Sequence, residues 1–224
     1  MPPRFFAIIE RIDVALGQVI DRLSDDTTLI VLSDHGFCTL EKEVFVNRWL
    51  VEQGWLSFDT PEPKSIADMN ASSIAYSMDP GRLFINLKGR EKDGRVSPGA
   101  EYEGWRTRLA EAALALRDPD SGRPIFQRVF RREEIYRGPL LAQAADLILV
   151  PYNGFDPKGS VNKPALTYKG PALVGMHTYD DAALVIEGLK VEREDIWIGD
   201  LMPTIMELMN VPAPADLDGQ SLID

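Results

Sequence analysis

The scarcest chemistry-bearing side chains in this sequence are its two histidines, and both sit beside glycine and carboxylates. His35 lies in TLIVLSDHGFCTL (28–40), between Asp34 and Gly36. His177 lies in VGMHTYDDAALVIEG (174–188), two residues after Gly175, with Asp180 and Asp181 close behind. A carboxylate oxygen and an imidazole nitrogen together suit zinc or a similar borderline divalent metal. Adjacent residues leaving a strand point in different directions, but a sharp turn lets both approach one ion, and Gly36 supplies the freedom for such a turn. In a plainer reading Asp34 caps a following element and His35 satisfies a loop; on spacing alone both readings stand. Neither histidine falls on a helix face, where a packing role would be natural, and both border apolar runs of strand length.

Other polar residues carry less. Asp180 and Asp181 read as a solvated loop before they read as ligands. Asn47 reads as a polar residue at a helix start before it reads as a phosphate donor. Arg131-Arg132 resembles an anion clamp, but Glu133-Glu134 follow at once, and such runs are usually solvated faces. Cys38 reads as a small buried filler and Asp218-Gly219 as a turn. Ser221 in DGQSL lacks the strand–turn–helix setting of a hydrolase nucleophile.

The elements that must position these residues are legible in outline. Phe5, Ile8, Ile9, Ile12, Leu16, Val19, Ile20 and Leu23 recur at helical spacing, predicting an amphipathic helix over 5–23. TLIVLS is an apolar run without alternation, which predicts a strand covered on both faces. Residues 44–53 predict a short helix stopped by Gly54, SMDPGRLFINL a strand after a Pro-Gly turn, and 101–116 a helix. PIFQRVF, ADLILVP and AALVIEG predict strands, and 152–175 a long irregular stretch. IGDLMPTIMELMNV predicts a closing helix with Asp200 in its first turn. Strands alternating with helices imply an α/β fold with a largely parallel sheet. In such sheets ligands bind at the carboxyl ends of strands, where Asp34 and His35 would lie. Residues 55–130 are expected to form an inserted cap.

Bulk composition narrows the function classes. With 224 residues and 45% hydrophobic content the chain has ample material for a core. A formal net charge of −11 argues against sequence-independent nucleic-acid binding and against anionic membranes. A single cysteine excludes an internal disulfide, and no signal-peptide pattern or run of about 18 apolar residues is seen, so the expected compartment is the cytoplasm.

VLSDHGF, followed by VNRWLVEQGWL, resembles the type I phosphodiesterase/nucleotide pyrophosphatase group of the alkaline phosphatase superfamily. LFINLKGREKDGRVSPGAEYE, LRDPDSGRPIFQRVFRREEIYRGP, ADLILVP, GMHTYDD and IGDLMPTIMELMNVPAPADLDGQSL resemble its later part and closing segment. The resemblance runs over nearly the whole chain and implies a three-layer α/β/α fold. It implies hydrolysis of small phosphate esters, phosphodiesters or nucleotide pyrophosphates, through a phospho-enzyme. It further implies two divalent metals, zinc or else manganese, flanking a Ser or Thr nucleophile. Asp34 and His35 would bind one metal and His177 the other.

Set against that family, the chain reads as a C-terminal portion, incomplete on the N-terminal side. No histidine precedes His35, and no residue is assigned as the nucleophile. The isolated chain is expected to have little catalysis and to self-associate through an exposed sheet edge. Asp181 stands where relatives often carry glycine. Two rival readings remain: another superfamily hydrolase, such as a phosphomonoesterase or sulfatase-like enzyme, and a non-catalytic binding module on the same scaffold.

Overall fold

The computed structural model describes residues 3–223, with side chains from Phe6 onward. Along the chain run α1 (Pro3–Ile20), β1 (Ile30–Leu32), β2 (Gly36–Thr39), β3 (Lys42–Phe45), α2 (Val46–Glu52), β4 (Ala75–Met78), β5 (Arg82–Ile85) and α3 (Ala100–Ala115). Then follow β6 (Phe126–Arg131), α4 (Arg132–Ile135), β7 (Leu147–Pro151), β8 (Phe155–Lys158), β9 (Thr167–Tyr168), β10 (Gly175–Thr178), β11 (Leu184–Ile186) and α5 (Leu201–Leu208). The chain divides into two units, Phe37–Tyr179 and the pair of segments Met1–Gly36 and Asp180–Asp224.

The centre of the larger unit is a four-stranded sheet in the order β4-β5-β7-β6, antiparallel at every pairing. Leu83 and Ile85 of β5, Leu147 and Leu149 of β7 and Phe126 of β6 turn inward, joining Tyr102, Leu109 and Ala113 of α3 and Trp49 and Leu50 of α2. The β4–β5 hairpin turns at Asp79-Pro80-Gly81 across a cis peptide bond. Gly81 has φ of 60°, and a Cβ there would lie 2.6 Å from the Leu149 carbonyl oxygen. Only glycine lets the turn approach β7 so closely while its own carbonyl accepts from the Leu149 N–H at 2.8 Å. Two smaller ladders complete this unit: β8-β3-β9, and β2 with β10.

The expected largely parallel sheet is corrected to a mixed α/β architecture with mostly antiparallel pairing. Among the described residues the parallel strand pair with a defined register is β3 with β8. The reason lies in one strand. β5 and β6 both run antiparallel to β7, so they are parallel to each other, and α3 is the crossover that such a pair requires. β7 sits between them, making a split β-α-β unit. The strict alternation of strands and helices is corrected as well: β1–β3, β4–β5 and β7–β11 follow one another without an intervening α-helix. The stretch 152–175 is likewise more ordered than its composition suggests. It supplies β8 and β9, which flank β3 on both sides; β8 contains Pro157, and strands this short have no visible period.

In the smaller unit β1 pairs with β11 alone, antiparallel, with Val31 opposite Val185. Val31 and Leu32 are exposed, so the expected cover on both faces of this strand is absent among the described residues. A 3-10 turn at Ile198–Asp200 leads into α5. Buried Asp200 takes the Trp197 N–H on one oxygen and the Gln220 N–H on the other, at 3.2 and 2.8 Å. Thr204 Oγ1 accepts from Leu222 N–H at 3.0 Å, so the closing DGQSL segment is clamped back onto α5.

Candidate functional site

β1 ends at Leu32, and Ser33, Asp34 and His35 form the turn that leads into β2. The Ser33 hydroxyl donates to the His35 carbonyl at 2.6 Å, which tightens the turn around Asp34. His35 Nε2 then stands 3.4 Å from Asp34 Oδ1, while His35 Nδ1 stands 2.9 Å from the Gly36 carbonyl oxygen. Asp34 is open to solvent and His35 is partly so.

This local geometry has a chemical reading. A carbonyl can only accept, so Nδ1 carries its proton toward Gly36, and in the neutral ring Nε2 is the basic nitrogen. The nitrogen and the carboxylate oxygen face each other at 3.4 Å, both at least partly open to solvent and so within reach of a dissolved cation. A ligating histidine typically has its second nitrogen held by a carbonyl or carboxylate, as here. The donor chemistry therefore fits two members of a divalent-metal ligand set.

His177 belongs to β10, the strand paired with β2, and is exposed between buried Met176 and Thr178. The glycine two residues before it has a packing neighbour. A Cβ on Gly175 would lie 2.1 Å from the exposed Phe37 ring, so a side chain here would have to displace that ring. Asp181 adopts φ of 65°, the left-handed conformation that glycine takes freely and that aspartate tolerates better than most residues. Its place at a position where glycine is common thus has a backbone explanation. Asp34 and His35 are brought together; His177 lies in the other unit. Among the described residues, no three His, Cys, Asp or Glu side chains gather into a metal-sized cluster.

The lesser candidates resolve into structure. Asn47 is fully buried and bonded to the backbone of Ser77 and Gly159. Ser221 Oγ accepts from the Ile223 N–H at 3.2 Å within the closing turn. Cys38 is half-buried in β2. The charge run 131–134 is solvated at Glu133 and Glu134, while Arg131 bonds Glu103 and Thr107 and Arg132 reaches Glu133 and buried Asp146. The reading along the chain missed two buried carboxylates, Asp118 and Asp146, because nothing local marks either as a partner of Lys42 or Arg90.

The chain is thus a mixed α/β protein with an Asp-His pair just past the carboxyl end of β1. Residues 2–180 match the family model of the type I phosphodiesterase / nucleotide pyrophosphatase, and the chain belongs to that family. No curated protein matches the chain significantly. Nor does any solved structure.

Proposed function

We propose that this chain serves metal-dependent hydrolysis of a phosphodiester or a nucleotide pyrophosphate. The observation that carries this reading is the Asp34–His35 pair at 3.4 Å, with the imidazole oriented by the Gly36 carbonyl, in a member of this family. Asp34 and His35 would hold one divalent ion and His177 a second, zinc first and manganese as the alternative. A bound ion would polarise a phosphoryl oxygen and offset charge developing on it. Asp34 contributes the charge that attracts a cation into an exposed turn. His35 contributes a nitrogen whose direction is already set, so little ordering remains when an ion arrives.

The family resemblance supports attack by a Ser or Thr hydroxyl and a phospho-enzyme, and no residue of this chain is assigned that part. It also supports an alkaline-phosphatase-like three-layer arrangement, with 55–130 as an inserted cap. The lone cysteine favours a reducing compartment, the cytoplasm.

The test measures bound zinc and manganese, together with hydrolysis of bis(p-nitrophenyl) phosphate, for the parent chain and for Asp34→Ala, His35→Ala and His177→Ala. Stoichiometric zinc that falls in all three variants is the expected result, with any turnover falling alongside it. Zinc binding that is unchanged in the variants, or absent from the parent at saturating zinc, overturns the assignment.

A further inference from the structure

β10 carries His177, and among the described residues it pairs with β2 alone. A two-stranded ladder is marginal by itself. The segment that leads into β10, residues 169–174, forms neither helix nor strand. What fixes the start of β10 therefore decides where His177 stands. Lys169 ties that start down. Its Nζ donates to the Leu40 carbonyl at 2.5 Å and to the Leu173 carbonyl at 3.0 Å. The Leu40 N–H in turn donates to the Val174 carbonyl at 3.0 Å. Leu40 is only 1% exposed, so its carbonyl needs a partner within the fold, and the ammonium supplies one. Hydrogen bonds from a charged donor are about twice as strong as neutral ones. Together these bonds join the residue just past β2 to the two residues just before β10. All of them, with His177, belong to the larger unit.

Register is what such a tie controls. Along β10, Met176 and Thr178 are buried and His177 between them is exposed. Side chains alternate along a strand, so a slip of one residue would turn His177 inward and Met176 outward. We propose that Lys169 is a positioning residue for His177: its ammonium pins the register of β10 on β2 and so holds the imidazole on the exposed side. The proposal rests on the reading of His177 as a metal ligand. In that reading Lys169 touches neither ion nor substrate. It sets the place of the imidazole before an ion arrives, so that little ordering is left to binding.

Lys169→Met keeps most of the side-chain length and removes the donors, whereas Lys169→Arg keeps donors. In metal-free protein, nitrogen–proton NMR correlation spectra show the His177 ring, assigned by the loss of its signals in His177→Ala. Those signals should shift or broaden in Lys169→Met and return toward the parent in Lys169→Arg. Zinc affinity, read by competition with a chromophoric chelator, should fall about 10-fold or more in Lys169→Met and recover in Lys169→Arg. Urea unfolding followed by tryptophan fluorescence reports that each variant is folded. A lysine of purely structural role would lower the midpoint and leave His177 as it was. Ring signals that do not change in folded Lys169→Met overturn the proposal. So does unchanged zinc affinity, where His177→Ala lowers it. Zinc binding that His177→Ala does not weaken overturns the metal reading instead, and the ring signals then decide the positioning by themselves.

Discussion

Asn47 stands in the first turn of α2 with none of its surface exposed. Its Nδ2 donates to the Ser77 carbonyl at 2.9 Å and to the Gly159 carbonyl at 2.7 Å, and its Oδ1 accepts from the Ser77 N–H at 2.7 Å. One amide thereby satisfies three backbone groups, two near the end of β4 and one just past β8. Asn47→Ala leaves all three without that partner, the two of Ser77 in the interior and that of Gly159 partly buried. A buried polar group that loses its partner costs about 1–3 kcal/mol. Taking the lower half of that range, about 1–2 kcal/mol, for each of the two buried Ser77 groups gives roughly 2–4 kcal/mol, a large share of the 5–15 kcal/mol typical of a whole domain. Asn47→Asp should be at least as damaging at neutral pH. It keeps an acceptor for the Ser77 N–H but turns its second oxygen toward two carbonyls.

Urea unfolding followed by tryptophan fluorescence reads this effect close to its source. Trp49 lies two residues from Asn47 and packs edge-to-face on Trp55 with ring centroids 5.6 Å apart; Trp105 continues the cluster at 6.1 Å. The midpoint should fall while the slope is unchanged, since the surface exposed on unfolding is the same. A loss below about 1 kcal/mol would refute the reasoning, because two buried groups cannot lose their partner so cheaply. Weakened phosphate-ester binding with stability intact would instead return Asn47 to the substrate.

Two further outcomes follow from the same unit. Asp118 takes Lys42 Nζ at 2.6 Å and the Ser121 hydroxyl and N–H at 2.5 and 3.1 Å. Burial alone would push this carboxyl up, but the ammonium and the Ser121 donors outweigh it and hold it down to about 2. A folded value below the unfolded one, about 3.9, gives stability that is complete above about pH 4 and lost as pH falls toward about 2. Thermal melts should therefore place Asp118→Asn about 2 kcal/mol below the parent at neutral pH and level with it near pH 2; curves that stay parallel contradict this. Gly81→Ala forces a Cβ to 2.6 Å from the Leu149 carbonyl at a positive φ, with backbone on both sides of the clash. Urea unfolding should show a loss of at least about 2 kcal/mol, and a neutral effect would mean that the hairpin can shift away from β7.

What could be read along the chain was local. The period of α1, the Pro-Gly turn before β5 and the apolar run of β7 all appear where their residues predicted them, because each signal is complete within a few positions. The Asp34–His35 pair was legible for a different reason: in a chain with two histidines, an adjacent carboxylate is conspicuous. The neighbour of Gly175, the Phe37 ring, is far away in sequence and adjacent only once β10 lies on β2, so that contact is not legible along the chain. The insertion of β7 between β5 and β6 was illegible on the same ground, since a split unit and a contiguous one share the same order of elements along the chain.

The charge run 131–134 bears on chemistry as well as on fold. Rules about such runs weigh sequence neighbours, yet the partner that decides this one is Asp146, fully buried just before β7. Its two oxygens take the Ile85 N–H at 2.6 Å, both terminal nitrogens of Arg90 at 2.9 and 2.6 Å, the Tyr102 hydroxyl at 2.5 Å and Arg132 at 3.3 Å. Burial, and then the Asp146 carboxylate, push the Tyr102 hydroxyl above the usual phenol range. Arg106 is spent likewise, on Glu103 and Glu133. These arginines hold the face between α3 and the sheet together and are matched by carboxylates, so they offer a phosphate ester no surplus charge. In a protein of net charge −11, an anionic substrate needs local positive charge from another source. A cation drawn to Asp34 and His35 would supply it, and on those grounds the metal reading of the turn after β1 is preferred to an arginine clamp.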